Sequence, residues 1–136
     1  MYKKILVPVA FDHGQRGHDA VTVASALADE GAEIILLNVL EDLPSYVSVE
    51  IPPEIFAHAH EEVEAKLNQI AAEAGAKAQA VVVRGHAGMT IVDYAERNGA
   101  DCIVIASHRP ELLDYLLGST AARVVRHAPC SVHVIR

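Results

Sequence analysis

The sequence predicts an α/β protein built on a doubly wound parallel sheet, and three observations carry that expectation. Apolar, β-branched runs without polar alternation recur along the chain, as in ILVPV at residues 5–9 and EIILLNV at 33–39, and such runs suit strands covered on both faces. Between them lie segments with apolar residues at helical spacing. The two patterns alternate β-α-β-α-β-α-β-α-β, which implies parallel strands joined by right-handed crossovers, with helices on both faces. The 136 residues contain no linker, repeat or low-complexity segment, so one domain over residues 1–136 is expected.

Residues 5–9 are the first strand, and the polar stretch 10–17, with two glycines, is a loop. A helix is predicted over about 18–30, with Val21, Ala24, Leu27 and Ala28 at helical spacing and Gly31 as its C-cap. Residues 33–39 are the second strand. Pro44, Pro52 and Pro53 punctuate the connection that follows. Pro53 suits the first turn of a helix running to about residue 74, with Ile55, Val63, Leu67 and Ile70 on its packed face and Gly75 ending it. Residues 79–83 are the third strand, turning at Arg84-Gly85. Residues 90–98 continue a helix that packs Ile91, Val92 and Ala95 and is capped by Gly99. A strand at 102–105, a helix at 118–127 and a strand at 131–135 complete the chain.

Composition narrows the function. Hydrophobic residues are 51% and charged residues 21% of the chain, a globular balance. Aromatics are only 4%, with no Trp, which argues against base-stacking platforms for single-stranded nucleic acid. A net charge of −7 argues against a nucleic-acid backbone binder, which carries a basic footprint. No apolar stretch approaches the ~20 residues of a membrane span, and no secretory cleavage pattern follows the start. Two cysteines, Cys102 and Cys130, are too few for a disulfide framework and are expected as buried thiols. A cytoplasmic protein is the economical expectation.

In an open doubly wound sheet, ligands bind beyond the carboxyl ends of the strands where strand order reverses. The linings so predicted are residues 10–13, 39–42, 84–88 and 106–109, followed by Gly118-Ser119-Thr120 at a helix start. That start presents backbone N–H groups suited to phosphate, although Ser and Thr before a helix are more commonly N-caps. His58 and His60 are two apart and point to different helix faces, so no metal pair is expected. His127 sits in a last helical turn, where the dipole favours a cation, and His133 in the last strand is a candidate to face a partner subunit. No P-loop, HExxH or GxSxG pattern is present, and VVVRGH offers no receiver-type aspartate after strand three.

MYKKILVPV at the start, LLNV in strand two, VVRG after strand three and IVIASHRPELLDYLLGSTAARVVRHAPCSVHVIR at the end resemble the universal stress protein family. The resemblance spans the chain, and ASHRP with YLLGS is similar to the small bacterial F and G branch. It implies a five-stranded Rossmann-like sheet of order 3-2-1-4-5. It also implies a homodimer through the last strand, extendable to a tetramer, and an adenine nucleotide, ATP with Mg²⁺, as ligand. The residues it implies for that ligand are Pro8, Val9, Ala10, Asp12, Val39, Gly85, Ala106, Ser107, His108, Arg109, Gly118, Ser119 and Thr120.

The family motif runs glycine, two residues, glycine, nine residues, glycine, then Ser or Thr. Here Ala106 and Arg109 stand at the first two glycines, and eight residues separate Arg109 from Gly118. Arg109 loses a glycine's open backbone, and Pro110 biases it toward extended geometry. It brings a guanidinium able to hold phosphate in bidentate fashion. Where the family usually ends strand one with Pro-x-Asp, this chain has Pro8-Val9-Ala10, and the nearest acid is Asp12. The implied role is regulation or stress response, with at most slow ATP hydrolysis or autophosphorylation and no catalytic residue. A nucleotide-independent dimeric interaction module, with an unidentified protein partner, is the alternative. An enzyme on a small phosphorylated substrate is a third.

Overall fold

The computed structural model describes residues 1–11, 16–41, 50–74, 78–107 and 117–136. Its elements are β1 (Tyr2–Pro8), α1 (Arg16–Leu27), β2 (Ala28–Leu40), α2 (Pro53–Ala74), β3 (Ala78–Arg84), α3 (Ala87–Asn98), β4 (Cys102–Ala106), α4 (Ser119–His127) and β5 (Ser131–Ile135). The five strands are parallel and ordered β3-β2-β1-β4-β5, as the sequence predicts.

β1 is central, and its middle residues Ile5, Leu6 and Val7 are at most 1% exposed. Alternation of side chains divides the core between two faces. Ile5, Val7 and Val9 pack with Ala20, Val21 and Ala24 of α1 and with Leu67, Ile70 and Ala71 of α2. Leu6, Ile35 and Leu37 pack with Ile91 and Ala95 of α3 and with Ala121 and Val124 of α4. The helices therefore cover both faces in pairs.

Three expectations are corrected. α1 ends at Leu27 and β2 begins at Ala28, so Gly31 lies within a strand and caps no helix. Tyr2 pairs with Ala28 and Lys4 with Glu33, so two steps along β1 face five along β2. Gly31, at φ 83°, supplies the left-handed backbone of that bulge. α3 starts at Ala87 rather than residue 90, its first turn closed by the Thr90 N–H donating to the His86 carbonyl at 2.9 Å. Ile55 is 58% exposed, off the packed face. The 22 residues of α2 extend about 33 Å, against about 23 Å for the seven residues of β3. The first turns overhang the sheet, and the buried positions Leu67, Ile70 and Ala71 fall in the second half.

His58 and His60 each face a glutamate one turn on, Glu62 at 3.3 Å and Glu64 at 3.5 Å, consistent with two independent surface residues. No helix among the described residues is long and apolar enough to cross a membrane. Cys102 is buried, whereas Cys130 is only half-buried, a departure from the expectation of two buried thiols. Burial, with Cys130 and Asp101 nearby, pushes the Cys102 thiol up to about 11.

The sign of that shift is testable. Below pH 9 the thiol is neutral in both folded and unfolded chains, and stability is unaffected. As pH rises from about 9 to 11 the unfolded chain loses this proton first, so stability falls. The urea midpoint of the wild type is expected to drop more between pH 8.5 and 10.5 than that of Cys102→Ala. Equal drops would remove the burial argument.

Candidate functional site

The carboxyl end of β1 is where the strand order turns back, with β2 on one side and β4 on the other. The Val9 N–H donates to the Leu37 carbonyl at 2.8 Å, and Asn38 Nδ2 donates to the Val9 carbonyl at 2.8 Å. These bonds tie the exit of β1 to β2. Asn38 is 8% exposed, and its Oδ1 has no partner among the described residues. Burying an acceptor unpaired costs free energy, so this oxygen and its surroundings belong in the search for a site.

Across β1, β4 ends in a second orphan. Ser107 is 3% exposed and its Oγ lacks a partner among the described residues. The Ser107 backbone is fully used: its N–H donates to the Ile135 carbonyl at 2.8 Å, and its carbonyl accepts the Gly118 N–H at 2.7 Å. A Cβ at Gly118 would lie 2.7 Å from that carbonyl oxygen, so only glycine allows this approach.

Gly118 is the N-cap of α4, with no side-chain cap bond. Ser119 and Thr120 stand inside the helix rather than at its cap, which excludes the capping role for their hydroxyls. The ladder opens with the Ala122 N–H donating to the Gly118 carbonyl at 2.9 Å. The N–H groups of Ser119, Thr120 and Ala121 precede it and have no intrahelical acceptor. With the dipole, they make an anion-favouring end.

On the other flank, Val39 pairs with Val83 of β3 and lies two residues beyond the last β1 pairing, Pro8 with Leu37. Gly85 turns the chain after β3 at φ 146°, its N–H donating to the Leu40 carbonyl at 3.0 Å.

Two cavities flank this edge. One, about 210 Å³, is lined by Val9, Ala10 and Phe11 against α1 and α2. Its walls carry Lys66 Nζ, 5.6 Å from the Phe11 ring centre, and His18 Nδ1, 3.3 Å from a Glu73 oxygen. The other, about 270 Å³, lies between the starts of α3 and α4 and includes Ser119 and Thr120. The predicted residues are thus divided: Val9 and Ala10 on one side, Ser119 and Thr120 on the other, and Ser107 with Gly118 at the end of β4. Pro8, Val39, Gly85 and Ala106 line neither cavity. Asp12, His108 and Arg109 lie outside the described residues. Sequence reasoning missed Asn38, a polar residue inside an apolar strand run, and Arg123, which lines the second cavity.

The Gly118 contact yields a direct expectation. Gly118→Ala forces its methyl against a backbone oxygen that cannot rotate away, and overpacking of this kind costs about 1–3 kcal/mol. A matched fall in urea stability is expected, and an unchanged midpoint would show the approach to be adjustable.

Known proteins share this fold. A family model described as "Universal stress protein family" matches residues 1–136. Universal stress protein G of Escherichia coli O157:H7 is 31% identical over 142 residues, covering 100% of each chain. Universal stress protein A homolog 2 of Coxiella burnetii is 30% identical over 139 residues, covering 99% of this chain and 95% of that one. The solved structure of hypothetical protein MJ0577 superposes with a TM-score of 0.83 at 31% identity, covering 99% of this chain and 96% of that one. With the family model matching residues 1–136 and relatives named universal stress proteins at 30–31% identity over nearly their full length, this chain belongs to the universal stress protein family.

Proposed function

We propose that this chain binds an adenine nucleotide, ATP in the first instance, at the carboxyl end of β1 and β4, and acts as a homodimeric regulatory protein in a stress response. The observation that carries the reading is the uncapped start of α4 beside the buried, unpartnered Ser107 hydroxyl. The residues fit a phosphate there. Gly118 leaves no side chain in the way, the first-turn N–H groups of α4 donate, and Ser107 Oγ is a donor in want of an acceptor.

Ala10 and Val39, at the ends of β1 and β2, would border the base and sugar, with Pro8 and Val9 holding that edge in place and Gly85 turning beside it. Ala106 would bring the β4 backbone close. Arg109 enters by its place at the second motif glycine, His108 as its neighbour, and Asp12 as the acid nearest the family's strand-one carboxylate. A magnesium ion would arrive with the phosphates. Two solved universal stress proteins support the fold-level part of the reading, one in complex with cAMP and one from Archaeoglobus fulgidus in complex with dAMP. They share the fold at TM-scores of 0.69 and 0.70, with 18% and 21% identity. The reading assigns no turnover beyond slow hydrolysis or autophosphorylation.

Calorimetric titration with ATP and Mg²⁺ tests the ligand. Ser107→Ala is the informative variant: removing an unpaired buried hydroxyl leaves stability unchanged or raises it. The same change removes about 1 kcal/mol of ligand hydrogen bonding, roughly fivefold in affinity. No heat from the wild type at millimolar ATP would sink the reading.

The dimer reading rests on β5, which among the described residues pairs only with β4 and so lies at an edge of the sheet. The Ile135 carbonyl points to β4, where it accepts from Ser107. Strand alternation then directs the backbone groups of Val132 and Val134 to the open side. Val134→Pro removes one outward N–H and spares the β4 ladder. Sedimentation is expected to give a dimer for wild type and a folded monomer for the variant. A dimeric variant would move the interface elsewhere.

A further inference from the structure

The cavity of about 270 Å³ between α3 and α4 has a lining in which every charged or titratable side chain is basic: His86, Arg123, Arg126 and His127. That is unusual in a chain of net charge −7 with 18 acids against 11 Lys and Arg. Several other cations among the described residues have partners. Lys4 meets Glu33, Arg97 meets Asp93, and Lys66 and Arg84 lie over the rings of Phe11 and Phe56. Neither Arg123 nor Arg126 has such a partner among the described residues.

Arg123 is also placed against its own electrostatic interest. Gly88 is the second residue of α3, and a Cβ there would fall 2.8 Å from Arg123 Cδ. The glycine lets the arginine stem lie on the first turn of α3, at the positive end of that helix. A cation there is disfavoured unless an anion lies between. The first turns supply none: α1 and α2 carry Asp19 and Glu54 in theirs, whereas α3 and α4 have no acid in theirs. The dipole of α4 accounts for Arg126 and His127 in its last turn, but it does not account for Arg123.

Ser119, Arg123, Arg126 and His127 recur at i, i+4, i+7 and i+8, so they form one stripe along α4. From Ser119 to His127 it extends about 12 Å. Hydroxyls stand at its head and guanidiniums along its length. A single small anion would leave part of that row unused.

We propose that this groove binds a condensed phosphate chain, held by Arg123 and Arg126 with Ser119 and Thr120 at one end. The proposal shares the start of α4 with the nucleotide reading but needs neither adenine nor ribose. The chain has two possible sources, the tail of a nucleoside triphosphate or free inorganic polyphosphate, and the experiment separates them.

Sodium tripolyphosphate, orthophosphate, AMP and ATP are titrated into the full-length protein by calorimetry, with folding of each variant checked by thermal melting. Tripolyphosphate is expected to bind at least tenfold tighter than orthophosphate, and more weakly as salt rises. Arg123→Gln and Arg126→Gln are each expected to weaken it about tenfold, the effect of losing a hydrogen bond to a charged group. Arg97→Gln, whose side chain pairs with Asp93 at 3.1 Å, leaves it unchanged. Competition between tripolyphosphate and ATP assigns the groove to a nucleotide's tail, and simultaneous binding assigns it to free polyphosphate. No tripolyphosphate binding at millimolar concentration, or undiminished binding by the folded double variant, overturns the proposal.

Discussion

A strand buried on both faces and both edges has no freedom to be polar, and β1 is that strand. Ile5, Leu6 and Val7 are sealed between two helix layers, with β2 and β4 on either side. The rest of the architecture follows from this placement. Right-handed crossovers that run outward from a central strand in both directions must put successive helix pairs on opposite faces. α1 and α2 therefore cover one face, and α3 and α4 the other. The connections diverge at the carboxyl end of β1, and no helix can cover the gap they leave. The site is where the fold cannot close itself.

The two ends of the sheet are treated differently. At the amino end, Asp101 accepts the Lys3 and Lys4 N–H groups at 2.8 and 3.0 Å, and its own N–H donates to the Lys4 carbonyl at 3.0 Å. Backbone donors that no strand satisfies are met there by the protein's own carboxylate. At the carboxyl end, the corresponding loose groups are Asn38 Oδ1, Ser107 Oγ and the first N–H groups of α4. The chain thus places its own anion at one end and leaves unpaired polar groups, an amide oxygen as well as N–H and O–H donors, at the other. The polar groups of one edge are satisfied within the chain, and those of the opposite edge are not.

Much of this was legible in the sequence because the strands are buried on both faces, which makes continuous apolar runs the only workable composition. The bounds of α2 were legible for a different reason: Pro53 fits a first turn and little else. The start of β2 was not, because Ala28-Asp29-Glu30-Gly31 has no strand propensity and its one apolar residue, Ala28, continues the helical spacing of α1. It is held as a strand from outside, by pairing of Ala28 with Tyr2 and by the ion pair of the Met1 amino group with Asp29. Asn38 was hidden inside an apolar word, and its bond to Val9 joins distant parts of the chain. Arg123 carries no signal of its own in the sequence, since its meaning depends on a glycine in another helix.

The motif glycines of the family bear on geometry unequally in this chain. Ala106 stands at the first of them, yet it sits within β4 in register with Ile135, and a strand position of this kind accepts a methyl group without strain. Gly118 is the reverse case. Its φ of −60° is open to any residue, so conformational freedom is not what requires glycine there. The requirement is steric: the Gly118 N–H reaches the Ser107 carbonyl at 2.7 Å, and a Cβ would lie just as close to the same oxygen. That bond holds the start of α4 against the end of β4, and so decides where the free N–H groups point. A chain that replaces other motif glycines can therefore keep the direction of these N–H groups for as long as it keeps this one.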